Sequence, residues 1–452
     1  MCPHRILCPN QLPSFFFWWY HLKSFKIHHH RKSAVKAYTL LFEMSIFQCP
    51  KHLYNRPCDE VHVDGTCSVE RREPCLFVSP ESLLSNFPFE ADKYLIDSPL
   101  DWSGSPFDGR GRPSQSNSSA ELTLPPDFGP ERPIRTASRF ERLLREDTFS
   151  ITCEVVPPAS ADATTFVQSV NTLGSCVDAV QIADNPSADL HMSGLLAAFF
   201  LERAGLETIL QMTCRDRNRA QLQADVLGAS GAGINNILCM TGAHPTEGNQ
   251  PDSKPMFDLD SVNLINAIRQ MRDDSKLLSG RTLNDPPHIF IGGLVSPLAP
   301  PQDYRLHDLG TKIAAGADFV VTHVIFDVES LDRFLENMQA KGLQEKVSVM
   351  VSIGVLVSAK NARDIHRRFP GVLIPESILE RLDNIAPGRQ RQEGFQIAVE
   401  TIQRLRDNPL VSGINIVTHL SSTTFDEIVE LCGQSNLLPR PILETPRTAT
   451  KG

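Results

Sequence analysis

The sequence predicts an α/β protein whose main domain is a closed (β/α)8 barrel, the TIM barrel. Two observations predict this fold: eight short, apolar, β-branched runs occur between residues 150 and 419, and stretches with helical periodicity separate them. Continuous apolar runs are typical of parallel strands buried on both faces. Eight such units suit a barrel of about 250 residues plus insertions better than a doubly wound open sheet, which is the alternative.

The predicted strands alternate with predicted helices along the whole domain. Stretches such as 163–174 and 259–271 repeat apolar residues with a helical period, and several of these stretches end at glycine, as helices commonly do. The eight predicted strands are residues 150–156, 178–184, 208–214, 236–242, 288–295, 318–326, 347–356 and 412–419.

Composition divides the chain into segments of different character. Residues 79–139 are rich in Ser, Pro, Gly and Asp, and such a composition buries too little apolar surface to offset its ordering entropy. We therefore expect a disordered linker there. Met44 stands just before a cysteine cluster, so residues 1–43 are expected to be dispensable or to reflect a wrongly assigned start. The predicted segments are a disordered extension (1–43), a cysteine-rich module (44–78), the linker (79–139), the barrel (140–441) and a tail (442–452).

Charge and hydropathy narrow the class of partner. The 452 residues carry a formal net charge of −9, and no basic stripe that could neutralise a nucleic-acid backbone is visible. No apolar run reaches the roughly 18 residues of a membrane span. We therefore expect a small-molecule enzyme that binds neither nucleic acid nor membrane. The cysteines scattered through the apolar segments after residue 150 fit a reducing, cytoplasmic compartment.

Four of the 11 cysteines form a cluster ahead of the linker. They are Cys49, Cys58, Cys67 and Cys75. Four thiolates suit tetrahedral zinc or an iron–sulfur cluster, and the spacing excludes neither. Four ordinary free thiols are the alternative.

Polar residues stand at the ends of several predicted strands, where a barrel gathers its catalytic groups. Glu154 is the clearest example, because a buried ionised carboxylate is costly unless it is paired or functional. The segment 211–219 enters a helix with three arginines, which suits phosphate or carboxylate recognition. A self-paired charge run is the alternative for this segment. Residues 241–245 contain a glycine turn that lets a ligand approach the backbone.

The order and spacing of several segments resemble the flavin-dependent methylenetetrahydrofolate reductases over essentially all of 140–441. The segments are ITCEVVPP (151–158), QMTCRDRNR (211–219), GINNILCMTG (233–242), FDLDSV (257–262), KIAAGADFVVTHVIFDVE (312–329) and PRP (439–441). The resemblance implies a (β/α)8 barrel that holds FAD, or alternatively FMN. It also implies hydride transfer to the one-carbon bridge of 5,10-methylenetetrahydrofolate, which yields 5-methyltetrahydrofolate.

The resemblance also implies roles for individual residues. Glu154 matches the glutamate credited with protonating the substrate so that its bridge opens, and we expect a raised pKa that keeps its proton near neutrality. Lys312 is expected to contact a diphosphate oxygen, and His323 to contact folate where the family usually has Gln. Ala243 departs from the acid that the family usually has. The implied cofactor-binding residues are Asp184, Gln211, Thr213, Arg215, Asp216, Arg217, Thr241, Gly242, His244 and Lys312.

The segment 49–75 resembles a cysteine-rich module that accompanies some of these reductases, although Arg56, Asp59 and Glu60 replace glycines. With this module, the electron donor is either NAD(P)H or a protein partner, and a homo-oligomer is also compatible. Two other functions stay open. One is a tetrahydrofolate-dependent methyl-handling protein of a demethylation pathway, and the other is a catalytically silent barrel that binds folate or flavin.

Overall fold

The computed structural model describes residues 49–78, except 52, 54–56, 70–73 and 76, and residues 133–440, except 422. All of them belong to one compact unit. The predicted extension, residues 44–48, most of the predicted linker and the predicted tail lie outside the described residues. No helix in the described ranges is long and apolar enough to cross a membrane.

Eight parallel strands close into a barrel in the order of the sequence, and each predicted strand contains one of them. Strand β1 pairs with β2 on one side and with β8 on the other, which closes the cylinder. The fold prediction is therefore confirmed. The strands are β1 (Ser150–Val155), β2 (Ala179–Ile182), β3 (Thr208–Thr213), β4 (Asn236–Met240), β5 (Phe290–Val295), β6 (Phe319–Thr322), β7 (Ser348–Gly354) and β8 (Gly413–Val417).

Helices surround the barrel, and their apolar faces pack on the outer faces of the strands. Short 3-10 turns add to them at 171–175, 186–188, 245–247 and 387–389. The α-helices are α1 (Arg139–Arg145), α2 (Ala163–Val170), α3 (Gly194–Arg203), α4 (Arg219–Gly231), α5 (Ser261–Asp273), α6 (Gln302–Ala315), α7 (Val328–Ala340), α8 (Ala359–Arg368), α9 (Glu376–Asp383), α10 (Gln390–Arg406) and α11 (Phe425–Gln434).

Helix α1 fills the N-terminal end of the barrel. Its Phe140 packs edge-on against Phe319 and Phe290, with ring centroids 5.3 and 6.0 Å away. Phe290 and Phe319 stack on each other at 4.9 Å. Because this end is packed with aromatic rings, a ligand can enter the barrel from the C-terminal end.

The barrel interior becomes polar above this aromatic plug. Side chains alternate along a strand, so Thr152 and Glu154 of β1 both point inward. Thr152 donates to Asn415 at 3.0 Å, and Asn415 donates to Ser352 at 3.1 Å, which satisfies these buried groups. Glu154 lies one layer higher, beside Gln181 of β2 in the strand register.

The described part of the cysteine-rich module, residues 49–78, is named the cap here. Its antiparallel bridges join Val61 to Cys67 and residue 66 to residue 74. Ser296, which follows β5, donates from its hydroxyl to the backbone oxygen of Asp59 at 2.6 Å. The cap therefore contacts the C-terminal end of the barrel directly.

Candidate functional site

Glu154 is held inside the open end of the barrel by three donors. Gln181 Nε2 and Gln211 Nε2 lie 3.1 and 2.7 Å from its Oε2. His419 Nδ1 lies 2.7 Å from its Oε1. The side chain of Glu154 is only 10% exposed. The strand register contributes to this cluster, because Glu154 of β1 pairs with Gln181 of β2, and Gln211 of β3 lies two residues beyond the register partner of Gln181.

The expected raised pKa of Glu154 is wrong for this geometry. Burial by itself raises the pKa of the carboxyl, but His419 and the two glutamine amides outweigh burial and hold the pKa below its usual value. Hydrogen bonds donated to a carboxylate favour its ionised form. The apolar neighbours of Glu154 in the sequence indicate its burial but not its donors, which come from other parts of the chain.

His419, like Gln181, is a site residue that the sequence did not predict. It ends the eighth predicted strand, and the alternation that places Asn415 inside the barrel also places residues 417 and 419 on that face. That alternation was the available signal. A polar residue at an inward position past the strand end belongs to the mouth of the barrel.

His323 follows β6 and contributes to the same end of the barrel. Burial lowers its pKa to about 4, so the imidazole is neutral at neutral pH. Among the buried polar atoms of the described residues that have no hydrogen-bond partner, two lie at this end of the barrel: His323 Nε2 and Gln181 Oε1. Buried polar atoms are normally satisfied, so these two are open positions for a ligand or water.

The arginine segment after β3 is paired with acidic side chains of its own neighbourhood. Arg215 is almost fully buried and binds Asp216, with Nη2 2.8 Å from Oδ2. Arg217 pairs with Asp184, and Asp184 Oδ2 also accepts from the backbone N and the hydroxyl of Thr213 at 2.9 and 2.8 Å. Arg217, Asp184 and Thr213 thus form one network, beside which Arg215 pairs with Asp216, and the expected contact of these residues with flavin stays a prediction.

The turn after β4 lies against this network. Gly242 has φ +93°, and a Cβ there would lie 2.9 Å from Thr213 Cβ. Thr241 Oγ1 accepts from the backbone N of Ser261 at 3.2 Å. His244 Nδ1 lies 2.8 Å from the hydroxyl of Thr246 and caps a short turn. Position 242 therefore requires glycine, while Thr241 and His244 stabilise the loop itself.

Lys312 is buried in α6 and faces the cap. Its Nζ donates to Asp308 at 2.7 Å, to the Leu294 backbone oxygen at 2.6 Å and to both oxygens of Asp59 at 3.0 and 3.1 Å. Burial lowers the pKa of Lys312, but Asp308 and Asp59 outweigh it and raise that pKa. A diphosphate oxygen would have to replace Asp59 to reach this ammonium, so the expected contact stays a prediction.

The cap brings a second charged pair to the site. Lys51 pairs with Glu60, and both are largely buried. Burial raises the pKa of Glu60, but Lys51 outweighs it, and electrostatic interactions with His323 and Arg215 lower it further. Glu60 is therefore an ionised cap residue that interacts electrostatically with His323 and Arg215 at the mouth of the barrel.

Comparison with known proteins identifies the family. Residues 139–433 match the family model described as methylenetetrahydrofolate reductase. The chain belongs to this family. The matched region contains the barrel strands and the candidate site, while the cap lies outside it.

Named methylenetetrahydrofolate reductases from several organisms are similar to the barrel. A probable methylenetetrahydrofolate reductase (NADPH) of Caenorhabditis elegans is 25% identical over 309 residues, covering 65% of this chain and 44% of that protein. The 5,10-methylenetetrahydrofolate reductase of Pectobacterium carotovorum is 28% identical over 211 residues, covering 45% of this chain and 62% of that protein. The chain therefore spans less than two thirds of either relative.

One solved structure is weakly similar to this chain. It is an uncharacterized protein from Clostridium thermocellum that binds two copies of 5-methyl-5,6,7,8-tetrahydrofolic acid. Its TM-score is 0.46 at 15% identity, with 66% of this chain and 98% of that chain covered. A similarity of this size carries no argument about ligands.

The methylenetetrahydrofolate reductase family implies a flavin, and the barrel mouth fits such a ligand. Gln181 Oε1 and His323 Nε2 are unsatisfied there, and the carboxylate of Glu154 lies within hydrogen-bond reach of Gln181. A ring system with several polar edges can satisfy such atoms.

The metal predicted for the cap fits the structure less well than the flavin fits the barrel mouth. Cys49, Cys58, Cys67 and Cys75 line one cavity. In the described part of the chain, however, no group of three or more His, Cys, Asp or Glu side chains is arranged to hold a metal ion. Burial raises the pKa of Cys58 to about 12 and that of Cys75 to about 11, which favours neutral thiols. No metal therefore enters the proposed chemistry.

Proposed function

We propose that the protein catalyses the flavin-dependent reduction of 5,10-methylenetetrahydrofolate to 5-methyltetrahydrofolate. Membership of the family supports the reaction class. The observation that carries the proposal is the position of Glu154, a buried acid held by three donors at the open end of the barrel. Once it has taken a proton from its hydrogen bond with His419, such a group is placed to give that proton to a nitrogen of the bridged folate.

Proton delivery explains why the reaction needs this acid. The closed methylene bridge is a poor hydride acceptor, and protonation of its nitrogen opens the bridge to an iminium ion. Bound flavin supplies the hydride that the opened bridge accepts. Gln181 and Gln211 fix Oε2 of Glu154, so the carboxyl keeps one orientation throughout. A positioned acid of this kind contributes about 10²- to 10⁴-fold in rate.

Neighbouring residues supply the remaining binding interactions in this proposal. Neutral His323 offers an imidazole to the folate without adding a positive charge. The network around Arg215 and Arg217, together with the turn at Gly242, holds the flavin. FAD is the preferred form, with FMN as the smaller alternative. Lys312 reaches its diphosphate only if Asp59 moves away.

The proposed electron donor is NADPH, which the printed name of the Caenorhabditis elegans relative includes. A protein donor acting through the cap is the alternative. The proposed compartment is the cytoplasm, because all nine cysteines in the described ranges are free and most are buried. Homo-oligomerisation stays a prediction.

A second candidate is a tetrahydrofolate-dependent methyl-handling protein without net reduction. Ala243 favours it, because an alanine cannot hold the charge that an acid would place beside the ligands. Arg215 Nη1 lies 3.4 Å from the Ala243 backbone oxygen, so the main chain supplies the one polar contact of this residue toward the arginine.

The two candidates differ in a spectroscopic cycle. The protein is loaded with FAD, reduced anaerobically with NADPH and mixed with 5,10-methylenetetrahydrofolate, while flavin absorbance is followed. Reduction should bleach the flavin, and folate should restore its colour with formation of one 5-methyltetrahydrofolate per flavin. A flavin that is reduced but never reoxidised by the folate contradicts the proposed reaction.

A further inference from the structure

The two oxygens of Glu154 have different surroundings, which restricts where an acidic proton can reside. Oε2 accepts from two glutamine amides, which have N–H groups and no lone pair facing the carboxyl. Oε1 faces a ring nitrogen of His419 at 2.7 Å. Imidazole nitrogen can either donate or accept, so a proton held by this carboxyl lies on Oε1, between Glu154 and His419.

His419 also connects the buried acid to the outside. Its side chain is 26% exposed, against 10% for Glu154. The ring of Phe369 lies 6.0 Å from the imidazole at an interplanar angle of 58°, and it covers part of the ring. Protons can therefore reach His419 from solvent more easily than they can reach Glu154 directly.

We propose that His419 recharges Glu154 with a proton after each turnover, and this inference rests on the proposed reduction. The pair begins with one proton on the Glu154–His419 hydrogen bond. Glu154 gives that proton to the substrate nitrogen as the bridge opens, which leaves a carboxylate and a neutral imidazole. The remaining ring proton of His419 then shifts to Nδ1, Nε2 takes a proton from solvent, and the Nδ1 proton passes to Oε1, which restores the starting state with Nε2 protonated. Each cycle moves one proton from solvent to substrate.

The charged surroundings of the pair are few among the described residues. The charge of Glu154 acts on His323, which is neutral at neutral pH. Beyond His323 lie Glu60, Lys312 and Arg305, whose charges act on that histidine. The two glutamines carry no charge. After burial, the interaction with His419 is therefore the largest influence on the pKa of Glu154.

Two substitutions separate proton transfer from positioning. His419→Phe removes both the donor and the titratable group, while His419→Asn keeps an amide donor that can hold Oε1 but cannot carry a proton from solvent. For both variants we expect reduction by NADPH at the wild-type rate. Reoxidation by 5,10-methylenetetrahydrofolate should fall about 100-fold at pH 7.5 in each. His288→Phe, at an exposed histidine before β5, is the matched control and should behave as wild type.

The pH profile gives an independent readout. His419 lowers the pKa of Glu154 against the raising effect of burial, so its removal should shift the pH profile of reoxidation in His419→Phe to higher pH than in wild type. Wild-type reoxidation in His419→Asn would show a purely structural contact and overturn the inference. An unchanged rate and pH profile in His419→Phe would overturn it as well. Flavin content and the NADPH step verify folding, and failure of wild type to reoxidise would reject the proposed function together with the inference.

Discussion

Asp59 of the cap forms a buried ion pair with Lys312 of α6, with both carboxylate oxygens within 3.1 Å of Nζ. The side chains are 9% and 1% exposed. Arg305 Nη1 donates to the backbone oxygen of Cys58 at 3.2 Å beside this pair. The cysteine-rich module is thus seated on the barrel at the end where ligands enter, through residues that are distant in the sequence.

Removal of Asp59 should detach the cap. Asp59→Ala leaves Lys312 buried with Asp308 as its remaining carboxylate, and breaking a buried pair costs about 3–5 kcal/mol. We expect a lower midpoint of denaturant unfolding and faster proteolysis within 49–78. Asp64→Ala is the matched control, because Asp64 is an exposed cap residue that bonds Thr66. Equal protease resistance in Asp59→Ala and wild type would show that this pair does not hold the cap.

His323 predicts a pH dependence of stability. Its pKa is about 4 in the folded protein, against about 6.5 when unfolded. The unfolded state therefore binds the proton more tightly, and the stability from neutral His323 is complete above pH 6.5 and is lost as pH falls toward 4. Between pH 7 and pH 4, the free energy of unfolding of His323→Gln should therefore decrease by about 2–3 kcal/mol less than that of wild type. Parallel curves for the two proteins would contradict this account.

Position 242 should not accept a side chain larger than that of glycine. Gly242→Ala would bring a Cβ to 2.9 Å from Thr213 Cβ at a φ that alanine rarely adopts. Such positions cost about 1–3 kcal/mol, and we expect weaker flavin binding as the turn shifts. Gly228→Ala serves as the control, because this helical glycine has open space around its Cβ position, and alanine there should be neutral or stabilising. Flavin titration and thermal melting of the two variants distinguish the effects, and equal results for both would reject the steric explanation.

The apolar runs were sufficient to predict the barrel, because strands buried on both faces leave a local signal. Helix α1 had no such signal, since Phe140 becomes informative only when it meets Phe290 and Phe319 inside the cylinder. Helices α8 and α11 were also not predicted from the sequence.

The site was predicted less completely than the fold. Glu154 was found because a lone acid in an apolar run is conspicuous. Its lowered pKa was missed, because the donors come from three other strands or strand ends. The contact between the cap and the barrel joins Asp59 to Lys312, which are 253 positions apart in the sequence. A local sequence pattern does not reveal such a contact.

The central claim is that Glu154 delivers the proton that opens the folate bridge. Anaerobic stopped-flow absorbance of FAD-loaded Glu154→Gln tests it most directly, with Glu202→Gln as a matched control at a partly buried acid that bonds Thr208. The account predicts near wild-type reduction by NADPH and reoxidation by 5,10-methylenetetrahydrofolate slowed at least about 100-fold in Glu154→Gln alone. Reoxidation of Glu154→Gln at the wild-type rate would contradict it.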